Sequence, residues 1–387
     1  MRRRTRVIAA IAIASAVAAA WWVLRAPAIE RRVVATPAEI DIDPPVLRAR
    51  RDAAIALAKT PDDPWTFAES LPSSAPDTDA KKEQCGWGDL PKFRTPDDGN
   101  GDVDAVQTQA ASPNYGAARS RIAASLLASS DPLDRAVADF LNVDDMRTPA
   151  GRIDAVVQQA AGTSDARVYA FAYGLCHSGR EPAASCRSLS AAAWARIDTG
   201  NGAPWLEALG QARAQGDAAG VQDAMSHLAS ASRFDTYVYA PSGAIASRGL
   251  ETGADLAAAS EMTVQVLGQS VAHSPPYQAL TQACSDKAAG NEAVLRQCLA
   301  ISDVMFDHSD SLMARAIGGA TLYLATGDAS RRDLYRAEQV AFSRHWSPAT
   351  GFSECKTLRE QAKKVLRNAQ IGEVEAQREQ ARQFVAP

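Results

Sequence analysis

Residues 203–228 read APWLEALGQARAQGDAAGVQDAMSHL, and this stretch decides the fold class. Trp205, Leu209 and Ala212 recur at helical spacing, Gly216-Asp217 interrupts them, and Val221, Met225 and Leu228 resume the same period. A glycine ending one helix and an aspartate opening the next is the chemistry of a short helix-turn-helix. The pattern extends in both directions. Ser164-Asp165 opens a helix in which Val168, Phe171, Ala172 and Leu175 share one face, and its partner is expected from about Ala184 to Ile197. Ser129-Ser130-Asp131-Pro132 supplies an N-cap and a first-turn proline for the run through Val137, Phe140 and Leu141.

Further hairpins are predicted over about 253–269, 276–289, 291–306, 309–325 and 328–344, with Gly327-Asp328 repeating the turn chemistry of Gly216-Asp217. A last cationic helix is expected from about Ser353 to Arg367, and residues 371–387 are expected to fray for want of a wide apolar stripe. Alanine recurs throughout and aromatic residues make up only 6% of the chain, a composition that favours closely packed helices over strands. The expectation is an all-α domain over residues 114–370, built of antiparallel hairpins stacked as an α-solenoid-like or bundle structure.

The N-terminus makes a different argument. Arg2, Arg3, Arg4 and Arg6 precede an uncharged run from Val7 to Leu24, closed by Arg25. As a helix that run rises roughly 27 Å, enough for a thin hydrocarbon core, with Trp21 and Trp22 at the far interface. The arginines keep the N-terminus cytoplasmic, so residues 1–25 are expected to anchor the chain in the inner membrane with the C-terminal domain periplasmic. Ala18, Ala19 and Ala20 also offer a cleavage site, which would release the protein to the periplasm instead.

Residues 26–113 are rich in Pro, Asp, Ser and Thr and read as a spacer, with one short helix from about Val46 to Lys59 and a docked loop at Cys85-Gly86-Trp87-Gly88. Six cysteines fit an oxidising compartment. Cys176 and Cys186 lie equally far from Glu181 in a turn-like run, and Cys284 and Cys298 equally far from Asn291, so each pair is expected to staple a hairpin. Elimination leaves Cys85 with Cys355. No C-x-x-C pair exists, which argues against zinc.

The stretch Asn201-Gly202-Ala203-Pro204-Trp205, then Leu209-Gly210, Gly216-Asp217 and Ala224, resembles one tetratricopeptide repeat. Leu209-Gly210 sits one residue later than the family pattern and Val221 stands where a small residue is expected, so the resemblance implies a packing mode and no binding site. As a whole the chain resembles uncharacterised Ala/Arg-rich, membrane-anchored periplasmic proteins of Gram-negative bacteria, a likeness that assigns no activity.

Chemistry-bearing constellations are sparse. The net charge of −4 lacks the positive field that a phosphate backbone requires, so nucleic acid is not expected as a partner. Asp307-His308-Ser309-Asp310 holds the residue types of a hydrolase triad, but neighbours in sequence point apart, and Ser309 or Asp310 is expected to cap the next helix. His177, His227, His273 and His345 have no metal-ligand spacing. Asp98-Gly99-Asn100-Gly101-Asp102-Val103-Asp104 alternates oxygen ligands but lacks the glycine and the closing glutamate of a calcium loop. Neither metal nor cofactor is expected, and no residue is assigned a catalytic role.

Trp194, Trp205, Tyr237 and Tyr239 are aromatic candidates for a recognition surface, with Tyr237, Tyr239 and Trp205 preferred. Tyr237 and Tyr239 fall in a predicted irregular loop, Arg233 to Gly249, the longest interruption between helices. The expected role is a protein-interaction scaffold or adaptor for an envelope partner. The alternative is an envelope hydrolase whose site is assembled from scattered residues.

Overall fold

The computed structural model describes residues 115–142, 149–178, 183–253, 255–286, 290–345 and 355–385. Among them the chain is all-α. The helices are α1 (Tyr115–Leu127), α2 (Pro132–Asn142), α3 (Pro149–Ala161), α4 (Ala166–Cys176), a 3-10 turn η1 (Ala184–Ser188), α5 (Ala191–Ile197), α6 (Ala203–Gln215) and α7 (Ala218–Ser230). They continue as α8 (Ala240–Thr252), α9 (Leu256–Ala272), α10 (Tyr277–Asp286), α11 (Glu292–Asp307), α12 (Leu312–Thr326), α13 (Ser330–His345), α14 (Cys355–Ile371) and α15 (Glu373–Val385). Among the described residues, pairing between strands is limited to two isolated bridges.

Local chemistry sets the helix ends. Asp165, Ser190, Asp217, Asn291 and Ser311 each accept a backbone N–H in the first turn of the helix they open. Gly216 and Gly327 close α6 and α12 in the left-handed conformation at φ of 70° and 83°. Neighbouring helices then pack as antiparallel hairpins, including α1 on α2, α6 on α7 and α11 on α12. The most extensive packing, however, joins α8 to α14, far apart in sequence. A strict solenoid confines contacts to adjacent repeats. Here α8 also meets α1, α2 and α9, so the hairpins close into a bundle around it. Gly243 lets α14 approach, since a Cβ there would collide with Ala369.

Several expectations need correction. The second leg after Cys176 is not one helix: η1 ends at Ser188, Leu189 is extended, and Ser190 caps a separate α5. The loop expected over Arg233 to Gly249 is only residues 231–239, because Pro241 sits in the first turn of α8, where its missing N–H costs nothing, and Gly243 and Gly249 are helical contact points. The C-terminal residues do not fray as expected. Glu373 to Val385 form α15, held by buried Val374, by the Arg367–Glu379 ion pair and by a Gln339–Gln377 side-chain bond. Helix α3 was not among the expected hairpins, although Ile153, Val156, Val157 and Ala160 fall at i, i+3, i+4 and i+7 and are all buried.

Cys176 pairs with Cys186, and Cys284 with Cys298. Only the second pair joins two α-helices; the first ties the end of α4 to η1. Cys355 is also disulfide-bonded, while Cys85 lies outside the described residues, as do residues 7–24, the 46–59 helix and the 98–104 acidic turn. No helix among the described residues is long and apolar enough to cross a membrane.

Candidate functional site

Four interhelical turns meet at one end of the bundle: 198–202 before α6, 231–239 before α8, 308–311 before α12, and Gly372 between α14 and α15. The middle segment is extended and bridged on both sides, Arg233 to Asn201 and Phe234 to Ser309, both parallel. Phe234 N–H donates to the His308 carbonyl at 2.9 Å, and Asp310 N–H donates back to the Phe234 carbonyl at 3.1 Å. The fully buried Phe234 side chain anchors the segment in the core.

Side chains then lock the turns together. Asn201 donates to the Asp198 carboxylate at 2.7 Å and to the Asp235 carbonyl at 2.8 Å, while its own oxygen accepts from Ala203 N–H and Asp235 N–H. Arg233 pairs with buried Asp198 and, at 2.8 Å, with Asp235. Asp310 accepts from Thr236 N–H at 2.9 Å, Tyr237 N–H at 2.7 Å and the Thr236 hydroxyl at 3.1 Å. Those bonds hold Tyr237 at a φ of 56°, a conformation an aromatic residue adopts only when its surroundings impose it. Glu373 completes the knot: its N–H donates to the Asp310 carbonyl at 2.6 Å, and its carboxylate accepts from Leu312 N–H and, at 2.6 Å, from the Tyr239 hydroxyl.

Between these turns and α15 opens a pocket of about 430 Å³, lined by Arg233, Asp235, Tyr237, Tyr239, Asp307 to Asp310, Asn368, Glu375 and Arg378 among others. Its electrostatics follow from burial. Desolvation, with help from the Asp235 charge, pushes the Asp310 carboxyl up to about 7 against the pull of its N–H donors. Burial also raises Asp235, with Arg233 opposing. Tyr237 and Tyr239 are pushed up as well, by burial first and then by the neighbouring charges of Asp198 and Glu373. Both phenols stay neutral.

The sequence candidates divide accordingly. Tyr237 and Tyr239 both line the pocket. Trp205 does not: it is half-buried on α6, its ring stacked on His227 at 3.7 Å between centroids. Trp194 is core, its indole N–H donating to Asp198. The Asp307 to Asp310 run lines the pocket, but the expected capping role falls to Ser311, and Ser309 donates its hydroxyl to the Ser311 carbonyl at 3.2 Å. Asp310 clamps the neighbouring turn instead of capping its own helix. His177 and His273 pack beside Tyr173, and His273 pairs with buried Glu207 at 2.8 Å. Among the described residues, no group of three or more His, Cys, Asp or Glu side chains is placed to hold a metal ion.

Asp198, Asn201, Arg233, Asp235, Thr236, Glu373 and Arg378 went unrecognised in the sequence. Each is an ordinary turn or surface residue there. Only the Asp-x-x-Asn spacing of 198–201 carries a local turn signal. Comparison with protein-family models, curated proteins and solved structures finds no match to this chain.

Proposed function

We propose that this protein is a membrane-anchored periplasmic scaffold and that the turn-cluster pocket is where it recognises an envelope partner. The observation that carries the reading is that Tyr237, Tyr239, Asp310 and Ser309, on the turn side of the pocket, have their polar groups committed to hydrogen bonds within the protein. The Tyr237 and Tyr239 hydroxyls donate to Asp198 and Glu373, both Asp310 oxygens are engaged, and the Ser309 hydroxyl is turned to a backbone carbonyl and not to a base. Such a surface is preorganised for recognition, while nucleophilic catalysis needs a nucleophile within hydrogen-bond reach of its base. The arginine-flanked apolar run at residues 7–24 and the Cys176–Cys186 and Cys284–Cys298 disulfides support the location.

The test is chemical crosslinking in native envelopes, comparing the intact protein with His308→Glu at the pocket rim and with Val340→Glu on exposed α13 surface. Loss of a defined adduct with the first variant and its retention with the second supports the reading. Adducts unchanged in both, or none at all, refute it. The hydrolase alternative draws on one observation, the raised Asp310 beside Asp235 in a pocket. It requires turnover of ester, glycoside or peptide substrates that Asp310→Asn abolishes.

A further inference from the structure

Helix α9 carries an outward apolar stripe. Val264 is 63% exposed and Val271 40%, Leu267 is half-buried between them, and nothing lies within 4 Å of where a Gly268 Cβ would stand. These positions fall at i, i+3, i+4 and i+7, one face of a helix. The opposite face, with Met262 and Val266, is already in the core.

The place where the described chain begins bears on what could cover the stripe. Helix α1 runs antiparallel to α9: Arg121 pairs with Asp255 at 3.0 Å, and the Tyr115 hydroxyl donates to Gln265 at 3.0 Å. The register places Tyr115 halfway along α9. The axis of α1, extended back beyond Tyr115, runs alongside Gln265 to Ala272, the half that bears the stripe. Reaching Val271 from Gln265 takes roughly 9 Å along the axis, within the reach of ten residues even when helical. The sequence before Tyr115 reads VDAVQTQAA over residues 103–111, and Val103, Val106 and Ala110 fall at i, i+3 and i+7, an apolar stripe of its own.

We propose that residues 103–111, which lie outside the described ones, dock on Val264, Leu267 and Val271, so that the spacer joins the folded domain before Tyr115. The docking fixes the direction in which the spacer leaves the bundle. In the full-length protein, a benzoylphenylalanine at the exposed Val264 position is expected to form, on illumination, an intrachain crosslink to the peptide containing residues 103–111. The same probe at Leu127, exposed at the far end of α1, is expected to form none. Val106→Asp is expected to reduce the Val264 crosslink severalfold and to speed amide exchange over residues 262–272. Crosslinks from Val264 to a second copy, to lipid, or to no part of residues 103–111 overturn the proposal. So does an exchange rate that Val106→Asp leaves unchanged.

Discussion

At the scale of single residues, two positions do work that composition alone would not assign. Gly243 is the point where α8 meets Ala369 of α14, and a larger side chain must push the helices apart. Gly243→Val is expected to cost about 2 kcal/mol, the usual range for overpacking, read as a lower urea midpoint with an unchanged slope. Asp310 is the other. Its folded carboxyl stands at about 7, against about 3.9 for an unfolded aspartate. Between those values the folded state keeps a proton that the unfolded chain has lost, so this group makes stability fall as pH rises from about 4 to about 7, with no further change above. Asp310→Asn keeps an acceptor for the Thr236 and Tyr237 N–H groups and removes the titration. Urea unfolding at pH 5 and at pH 8 is expected to show a smaller difference in this variant than in the parent.

At the scale of elements, hairpins are held by caps, by side-chain faces and by cystines. Cys284 and Cys298 are fully buried between α10 and α11 and lie 14 residues apart. Closing a loop of that size restricts the unfolded chain by about 3 kcal/mol. Cys284→Ala with Cys298→Ala is therefore expected to cost about that much under non-reducing conditions, measured by chemical unfolding. The caps explain why most helix starts could be read directly. Asp165, Asp217 and Asn291 each satisfy an orphan N–H of their own helix, a bond that needs only neighbours in sequence. Where packing overrode the local signal, the reading failed. Proline and glycine in Ala240–Gly249 suggest a loop, yet proline in the first turn is harmless and glycine where helices cross is useful.

At the scale of the whole molecule, α8 sits at the centre because α14 returns to cover it. Leu358 of α14 is 2% exposed and packs in a cluster with Ala246 and Leu256 from α8 and α9. Leu358→Ala is expected to cost about 3 kcal/mol. Its signature is faster amide exchange over 240–252 than over 203–230, because α8 loses its cover while the α6–α7 hairpin keeps its own contacts. A chain of independent hairpins would confine the effect to α14 and α15.

The boundary between sequence and structure follows from the range of the forces involved. The sequence by itself determined the all-α class, most helix starts, the Gly-Asp turns and both local cystines, since each depends on residues within about one hairpin of each other. Only the tertiary structure decided that α8 and α14 pair, that residues after Ile371 form a docked helix, and that Asp198, Arg233, Asp310 and Glu373 share one network. Tyr237 and Tyr239 were visible as aromatics in a turn. The pocket they line was not, because its walls come from turns separated by scores of residues, and a buried carboxylate's partners are set by the packing of helices rather than by its neighbours in the chain.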